Sequence, residues 1–228
     1  MKYSGRARAS AVKLIVWTLV GLLVIFFAGF VATIVGAMVS AISATLILLW
    51  VLFVLFTLYF FRDPNPQVPR EGRLAVSPAH GKIDMIDEIV EPQYMGGRCR
   101  RISIFLSVFD IHVQNAPVSG RIAYLKYTEG QFLNALNSES ASQNENVMIG
   151  IETPECPGEK IGVKLIAGLI ARRIVPFIAA GDTTARGERI SLIQFGSRTD
   201  LYLPLSAKIR VQLGDRAVGG ETVMATFD

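Results

Sequence analysis

The hydrophobic pattern changes character once along the chain, at Phe61. From Leu14 to Phe61 apolar residues run on without a single charged position. One bilayer crossing takes about 20 apolar residues, so this run is too long for one helix and reads as two. The expected reversal is "VGAMVSAISAT", Val35–Thr45, where small and weakly polar residues replace the bulky ones. Helices over roughly 14–34 and 41–61 would then form a transmembrane hairpin. A cleaved signal sequence has one short apolar core and a small-residue cleavage site, which this long continuous run does not resemble.

Beyond Phe61 the periodicity shortens to that of strands. "RISIFLSVFDIHV", "GRIAYLKY", "ENVMIGIET", "KIGVKLIAG", "RISLIQFG", "RTDLYLPL" and "KIRVQL" are rich in β-branched and aromatic residues, and Gly, Pro, Asp and Asn separate them. Several alternate apolar and polar positions, as half-buried strands do. One short helix is expected at "GQFLNALNSESA", Gly130–Ala141, and "RDPNPQVP" after Phe61 reads as an extended collar. The prediction is a mainly β, compact sandwich or barrel-like domain over 62–228, large enough to bury its own core.

Charge adds a topology. All 19 acidic residues lie after Phe61, where basic residues balance them, so the net charge of +4 resides in Lys2, Arg6, Arg8 and Lys13. Lys and Arg beside a first span favour the cytoplasmic side, and two crossings return the chain there, with Arg62 at the exit. Residues 1–13 are thus a basic cytoplasmic tail, 14–61 the membrane segment and 62–228 a domain held at the cytoplasmic face of the cell (inner) membrane. Topology accounts for the four basic residues, so no nucleic-acid partner is expected. Cys99 and Cys156 form no CxxC pair and read as free thiols, and with only His80 and His112 there is no metal-ligand set.

Chemistry concentrates at "LIQFGSRTDLYLP", Leu192–Pro204. Gly196 allows close approach to the 196–197 peptide, and a serine hydroxyl beside its own upstream carbonyl can attack it when a base removes the proton. Standing alone, a Gly-Ser pair is more often a bulge or turn. Here it sits within "GLIARRIVPFIAAGDTTARGERISLIQFGSRTDLYLP", and "FLSVFDIHVQNAPVSGRI", "FFRDP", "SPAHGK" and "GQFLNA" precede it in order. Together these strongly resemble the phosphatidylserine decarboxylases, in particular their short membrane-anchored branch.

The resemblance implies a proenzyme that cleaves itself between Gly196 and Ser197. The Ser197 hydroxyl forms an ester, β-elimination releases the upstream chain, and the dehydroalanine left behind hydrolyses to a pyruvoyl group with loss of ammonia. Two chains result, a β chain of 1–196 and an α chain of 197–228, a heterodimer that a higher oligomer could contain. The covalent pyruvoyl group is then the only cofactor. It would form a Schiff base with the amine of a serine phospholipid and accept the electrons released with carbon dioxide, the electron-sink role that pyridoxal phosphate plays elsewhere. The same family suggests His112 as proton donor or acceptor, a task suited to an imidazole.

Other site residues carry alternatives. Asp110, two positions before His112, would share its face on a strand and orient it, or it is a plain turn carboxylate. Arg172 and Arg173 include a candidate contact to the lipid phosphate, because guanidinium forks fit phosphate oxygens. Where the family usually has an aspartate, this chain has His80; His80 itself, Asp84 or Asp110 could then supply the base for self-cleavage. Three outcomes stay open: decarboxylation of phosphatidylserine to phosphatidylethanolamine, decarboxylation of an ether-linked archaetidyl serine lipid, or a non-processing membrane-bound β domain. A serine hydrolase is disfavoured because no GxSxG elbow is present.

Overall fold

A computed structural model of the chain describes residues 6–131, 143–168, 173–194 and 197–227. It comprises two compact units, Met1–Thr57 and Leu58–Asp228. The expected helix at 130–141 lies largely outside the described residues.

The first unit is a single α-helix, α1 (Arg6–Phe60), whose last turn enters the second unit. This corrects the expected hairpin: α1 runs through Val35–Thr45 without a break. Small residues permit a reversal there but do not impose one, since the stretch holds no Pro, Asn or Asp. Its hydroxyls are absorbed by the helix itself, with Ser40 Oγ donating to the Gly36 carbonyl and Thr45 Oγ1 to that of Ala41, both at 2.9 Å. At about 1.5 Å per residue α1 is roughly 80 Å long, more than twice the thickness of a bilayer's hydrocarbon. Val12–Phe60 is long and apolar enough to cross a membrane.

The second unit is mainly β. In chain order its strands are β1 (Leu74–Val76), β2 (Gly81–Glu91), β3 (Gly97–Leu106), β4 (Val113–Asn115), β5 (Gly120–Thr128), β6 (Asn146–Glu152) and β7 (Lys160–Ala167). They continue with β8 (Ile174–Pro176), β9 (Thr183–Thr184), β10 (Arg189–Ile193), β11 (Ser197–Leu203), β12 (Lys208–Ile209), β13 (Arg216–Ala217) and β14 (Val223–Thr226). An eight-stranded antiparallel sheet has the order β13-β2-β3-β11-β7-β6-β5-β9. Two three-stranded sheets, β1-β14-β12 and β4-β10-β8, complete the unit. The large sheet curls into a half-barrel and stays open, because its edges β13 and β9 are two-residue strands that do not meet.

Strand β11 runs through the middle of this sheet, and every one of its residues is buried. Ser197, Thr199, Leu201 and Leu203 share one face. In register with them stand Leu106, Ile104 and Ile102 of β3 and Ala167, Leu165 and Val163 of β7, all in the main hydrophobic core. Arg198, Asp200 and Tyr202 occupy the other face. There Asp200 lies between Ser103 and Lys164 in register and accepts a hydrogen bond from the Tyr202 hydroxyl at 3.3 Å. Burial pushes the Asp200 carboxyl upward.

The expected strand "RISIFLSVFDIHV" divides. It forms β3 as far as Leu106, turns through Ser107–Ile111, and resumes as β4. The collar is extended as expected yet strapped to the unit: the Arg189 guanidinium meets Asp63 at 2.5 Å and Asn65 at 2.9 Å, and Arg186 donates to the Pro69 carbonyl at 2.8 Å.

Candidate active site

Two strand pairs frame one end of the unit. β3 pairs with β11 in the large sheet, and β4 pairs with β10 in a small one. The turn from β3 to β4 holds Ser107–His112, and in sequence Gln194–Gly196 link β10 to β11. His112 and Ser197 thus each follow a paired strand at that end of the unit. Leu106, the residue before Ser107, is directly opposite Ser197, and the backbone N–H of Ile193 donates to the His112 carbonyl at 3.1 Å. Gly196 itself lies outside the described residues.

Ser197 opens β11 and is fully buried. Its Oγ has no hydrogen-bond partner among the described residues. A buried, unsatisfied hydroxyl costs stability, and a catalytic role is one of the reasons such an atom persists.

His112 is also buried. Its Nδ1 lies 2.9 Å from the Asp110 carbonyl oxygen, which can only accept, so the proton sits on Nδ1 and Nε2 carries the ring's basic lone pair. Phe60, at the end of α1, lies over the imidazole with ring centroids 4.2 Å apart. Burial lowers the His112 pKa to about 4, the Asp110 carbonyl and charge opposing only in part. The ring is therefore neutral at physiological pH.

Of the two readings open for Asp110, strand neighbour of His112 or turn carboxylate, the structure has the second. Asp110 belongs to the turn, where its Oδ2 accepts from the backbone N–H and the hydroxyl of Ser107, both at 2.9 Å, and its Oδ1 is ion-paired with Arg216 of β13. Its carbonyl, not its carboxylate, meets His112. The other cation at the turn is Arg62, which donates to the Phe109 carbonyl at 2.7 Å.

His80, between β1 and β2, lies beside Asn115 at the far end of β4: a Cβ on Gly219 would come within 2.9 Å of His80 Nε2 and 2.8 Å of Asn115 Oδ1. Burial lowers the His80 pKa, with the charge of Asp110 opposing. Asp110 and Arg62 thus act on both histidines. Asp84 is engaged elsewhere, as a fork with Arg198 at 2.5 and 3.1 Å. Arg173 is exposed, and its carbonyl accepts from the Gln194 backbone at 3.2 Å, which puts it near the link to β11; Arg172 lies outside the described residues.

Sequence reasoning did not reach Arg216, Arg198, Tyr59 or Phe60. Arg216 and Asp110 are 106 positions apart, and nothing local links them. Among the described residues no group of three or more His, Cys, Asp or Glu could hold a metal, and Cys99 and Cys156 are buried free thiols.

The fold and site define a mainly β protein with an unsatisfied serine buried at the head of a central strand, a buried neutral histidine after the β3–β4 turn, and a long apolar helix earlier in the chain. Comparison with known proteins gives the family. The family profile described as "Phosphatidylserine decarboxylase" matches residues 53–225. A protein of Symbiobacterium thermophilum named "Phosphatidylserine decarboxylase proenzyme" is 42% identical over 196 residues, covering 83% of this chain and 90% of its own. Proteins of the same name from Desulfotalea psychrophila and Ruegeria pomeroyi are each 43% identical, covering 87% and 82% of this chain and 92% and 89% of their own. The chain belongs to the phosphatidylserine decarboxylase family.

Proposed function

We propose that the chain is a membrane-anchored phosphatidylserine decarboxylase that makes its own pyruvoyl group at Ser197 and releases phosphatidylethanolamine. The observation that carries this reading is Ser197 itself, whose Oγ is buried at the head of β11 without a partner among the described residues. A side-chain oxygen lost on conversion needs no permanent partner, so the site fits the group. When present, the group supplies a carbonyl that captures the head-group amine and takes the electron pair left by carbon dioxide.

The remaining work falls to the chain's own residues. In self-cleavage the Ser197 hydroxyl attacks the Gly196 carbonyl, and His80, neutral and in the field of Asp110, is the proposed base. His112, with its proton fixed on Nδ1, offers Nε2 for proton transfer in decarboxylation. Arg173, with Arg172, is the proposed contact to the lipid phosphate. Phe60 and the Ser107–Asp110 turn exclude water from His112.

The membrane anchor is α1, and the domain is proposed to face the cytoplasm of the cell membrane. The two thiols left unpaired support that side. Protease protection in sealed vesicles tests it.

Intact mass spectrometry of the protein expressed in membranes tests the chemistry. A fragment starting at position 197 with a blocked end is expected, and Ser197→Ala should abolish it. His80→Ala should slow its appearance, whereas His112→Ala should yield the fragment without decarboxylation. Only full-length chain in the wild type would sink the reading and leave a non-processing β domain.

A further inference from the structure

The turn between β3 and β4 carries at its tip a phenylalanine that is mostly exposed. Phe109 is 64% exposed, although the turn around it is tightly fixed. Asp110 holds the backbone N–H and hydroxyl of Ser107, Arg216 holds Asp110, and the Phe109 carbonyl accepts from both Arg62 at 2.7 Å and the Tyr59 hydroxyl at 3.3 Å. A fixed turn that presents a large apolar side chain outward is built for an apolar environment.

The residues that grip Phe109 say which environment that is. Tyr59 and Arg62 straddle the point where the apolar run ends: Phe61 is its last residue and Arg62 the first charge. Aromatic and basic residues at such a boundary sit at the lipid–water interface, and the Arg62 guanidinium lies 4.0 Å over the Tyr59 ring. Phe61, 43% exposed and edge-on to Phe60 at 5.0 Å, extends the apolar surface. The rim is cationic. Arg216, its side chain 70% exposed, pairs in register with the exposed Lys82. Arg216 also ties the turn to the start of β13, and Leu213 in the preceding β12–β13 loop is exposed.

We propose that the Ser107–Ile111 turn is an interfacial anchor, with Phe109 inserted among the acyl chains and Arg62, Arg216 and Lys82 at the level of anionic head groups. The occupant of this surface is a bilayer carrying anionic phospholipid. The inference rests on the proposed decarboxylase function and deepens it: His112 follows the turn directly, so seating Phe109 in lipid sets the mouth of the site at head-group depth, where the substrate need not leave the membrane.

Position 109 can be labelled selectively as Phe109→Cys in the full-length protein, because Cys99 and Cys156 are buried. In vesicles of phosphatidylserine and phosphatidylcholine, a fluorophore at 109 is expected to be quenched by nitroxides on the acyl chains and shielded from iodide. Quenching by iodide alone overturns the proposal whatever the enzyme does. For activity, Phe109→Ser is expected to lower at least tenfold the ratio of turnover on vesicle phosphatidylserine to turnover on a monomeric short-chain phosphatidylserine, and Phe109→Leu to preserve that ratio. An unchanged ratio in Phe109→Ser also overturns it. An inactive wild type whose probe reports lipid would instead refute the decarboxylase reading and leave the anchor standing.

Discussion

His112 is held as a neutral base by burial, and this makes its titration a direct probe of its role. An unfolded chain takes up a proton on histidine near 6.5, whereas the folded ring does so only at about 4. The stabilising difference is therefore complete above 6.5 and is lost progressively as pH falls toward 4. His80 is shifted the same way. Thermal melts should show the wild type losing stability over that window, and His112→Asn should flatten part of the loss. In turnover, the acid limb assigned to His112 should lie well below 6.5. Substituting His112 by Ala should reduce decarboxylation by about 10²–10⁴-fold, the usual worth of a positioned acid–base group. A limb centred at 6.5 would mean that the active form carries a solvated histidine instead. At this scale the sequence singles out Ser197 and His112 as candidates by type and motif. The carboxylate of Asp110 was harder to place: alternation on a strand puts it beside the imidazole, but Ser107 draws it into a turn and leaves its carbonyl to do the orienting.

Strand β11 shows how an element can be placed correctly while its surroundings stay hidden. Its apolar alternation is plain in "RTDLYLPL", and so are β5, β6 and β7 in their own segments. The longest strand, β2, is not among the expected ones, because the charges in "GKIDMIDEIVE" interrupt the apolar pattern and only β3 supplies arginines opposite them: Asp87 faces Arg101 and Glu88 faces Arg100. The small residues of Val35–Thr45 misled in the other direction, since a helix accepts them as readily as a turn does. Across β3, Asp84 of β2 forks onto Arg198 of β11, the residue immediately after the proposed nucleophile. The Arg198 side chain is only 3% exposed, so its fork with Asp84 is made largely out of water. Asp84→Ala should cost about 3 kcal/mol, at the lower end for a broken buried pair because Asp84 itself is partly solvated. Asp84→Asn should recover part of the loss through a neutral hydrogen bond. Denaturant midpoints measured on uncleaved Ser197→Ala backgrounds would separate this effect on the fold from any effect on processing, and equal midpoints for Asp84→Ala and its parent would refute it.

Across the whole molecule, the proposed cleavage would break the chain at a point where the fold scarcely depends on its continuity. Residues after 196 supply β11 to the middle of the large sheet, where it is paired along its length with β3 and nearly so with β7. They also supply β13 to the edge beside β2, and β12 and β14 to the small sheet with β1. Leu201, Leu203, Ala207, Ala217, Met224 and Ala225 all lie in the core shared with the upstream segment. Pulling this segment out would open two sheets and strip one face of the core, so its hold is that of a fold and not of an interface. The 197–228 fragment should therefore co-purify with 1–196 through detergent extraction and size exclusion. The two should part only in denaturant, in the same transition that unfolds the sheet. Two resolved transitions, with the fragment leaving first, would show that β11 is a docked strand and that the ladders with β3 and β7 do not set the cooperativity of the domain.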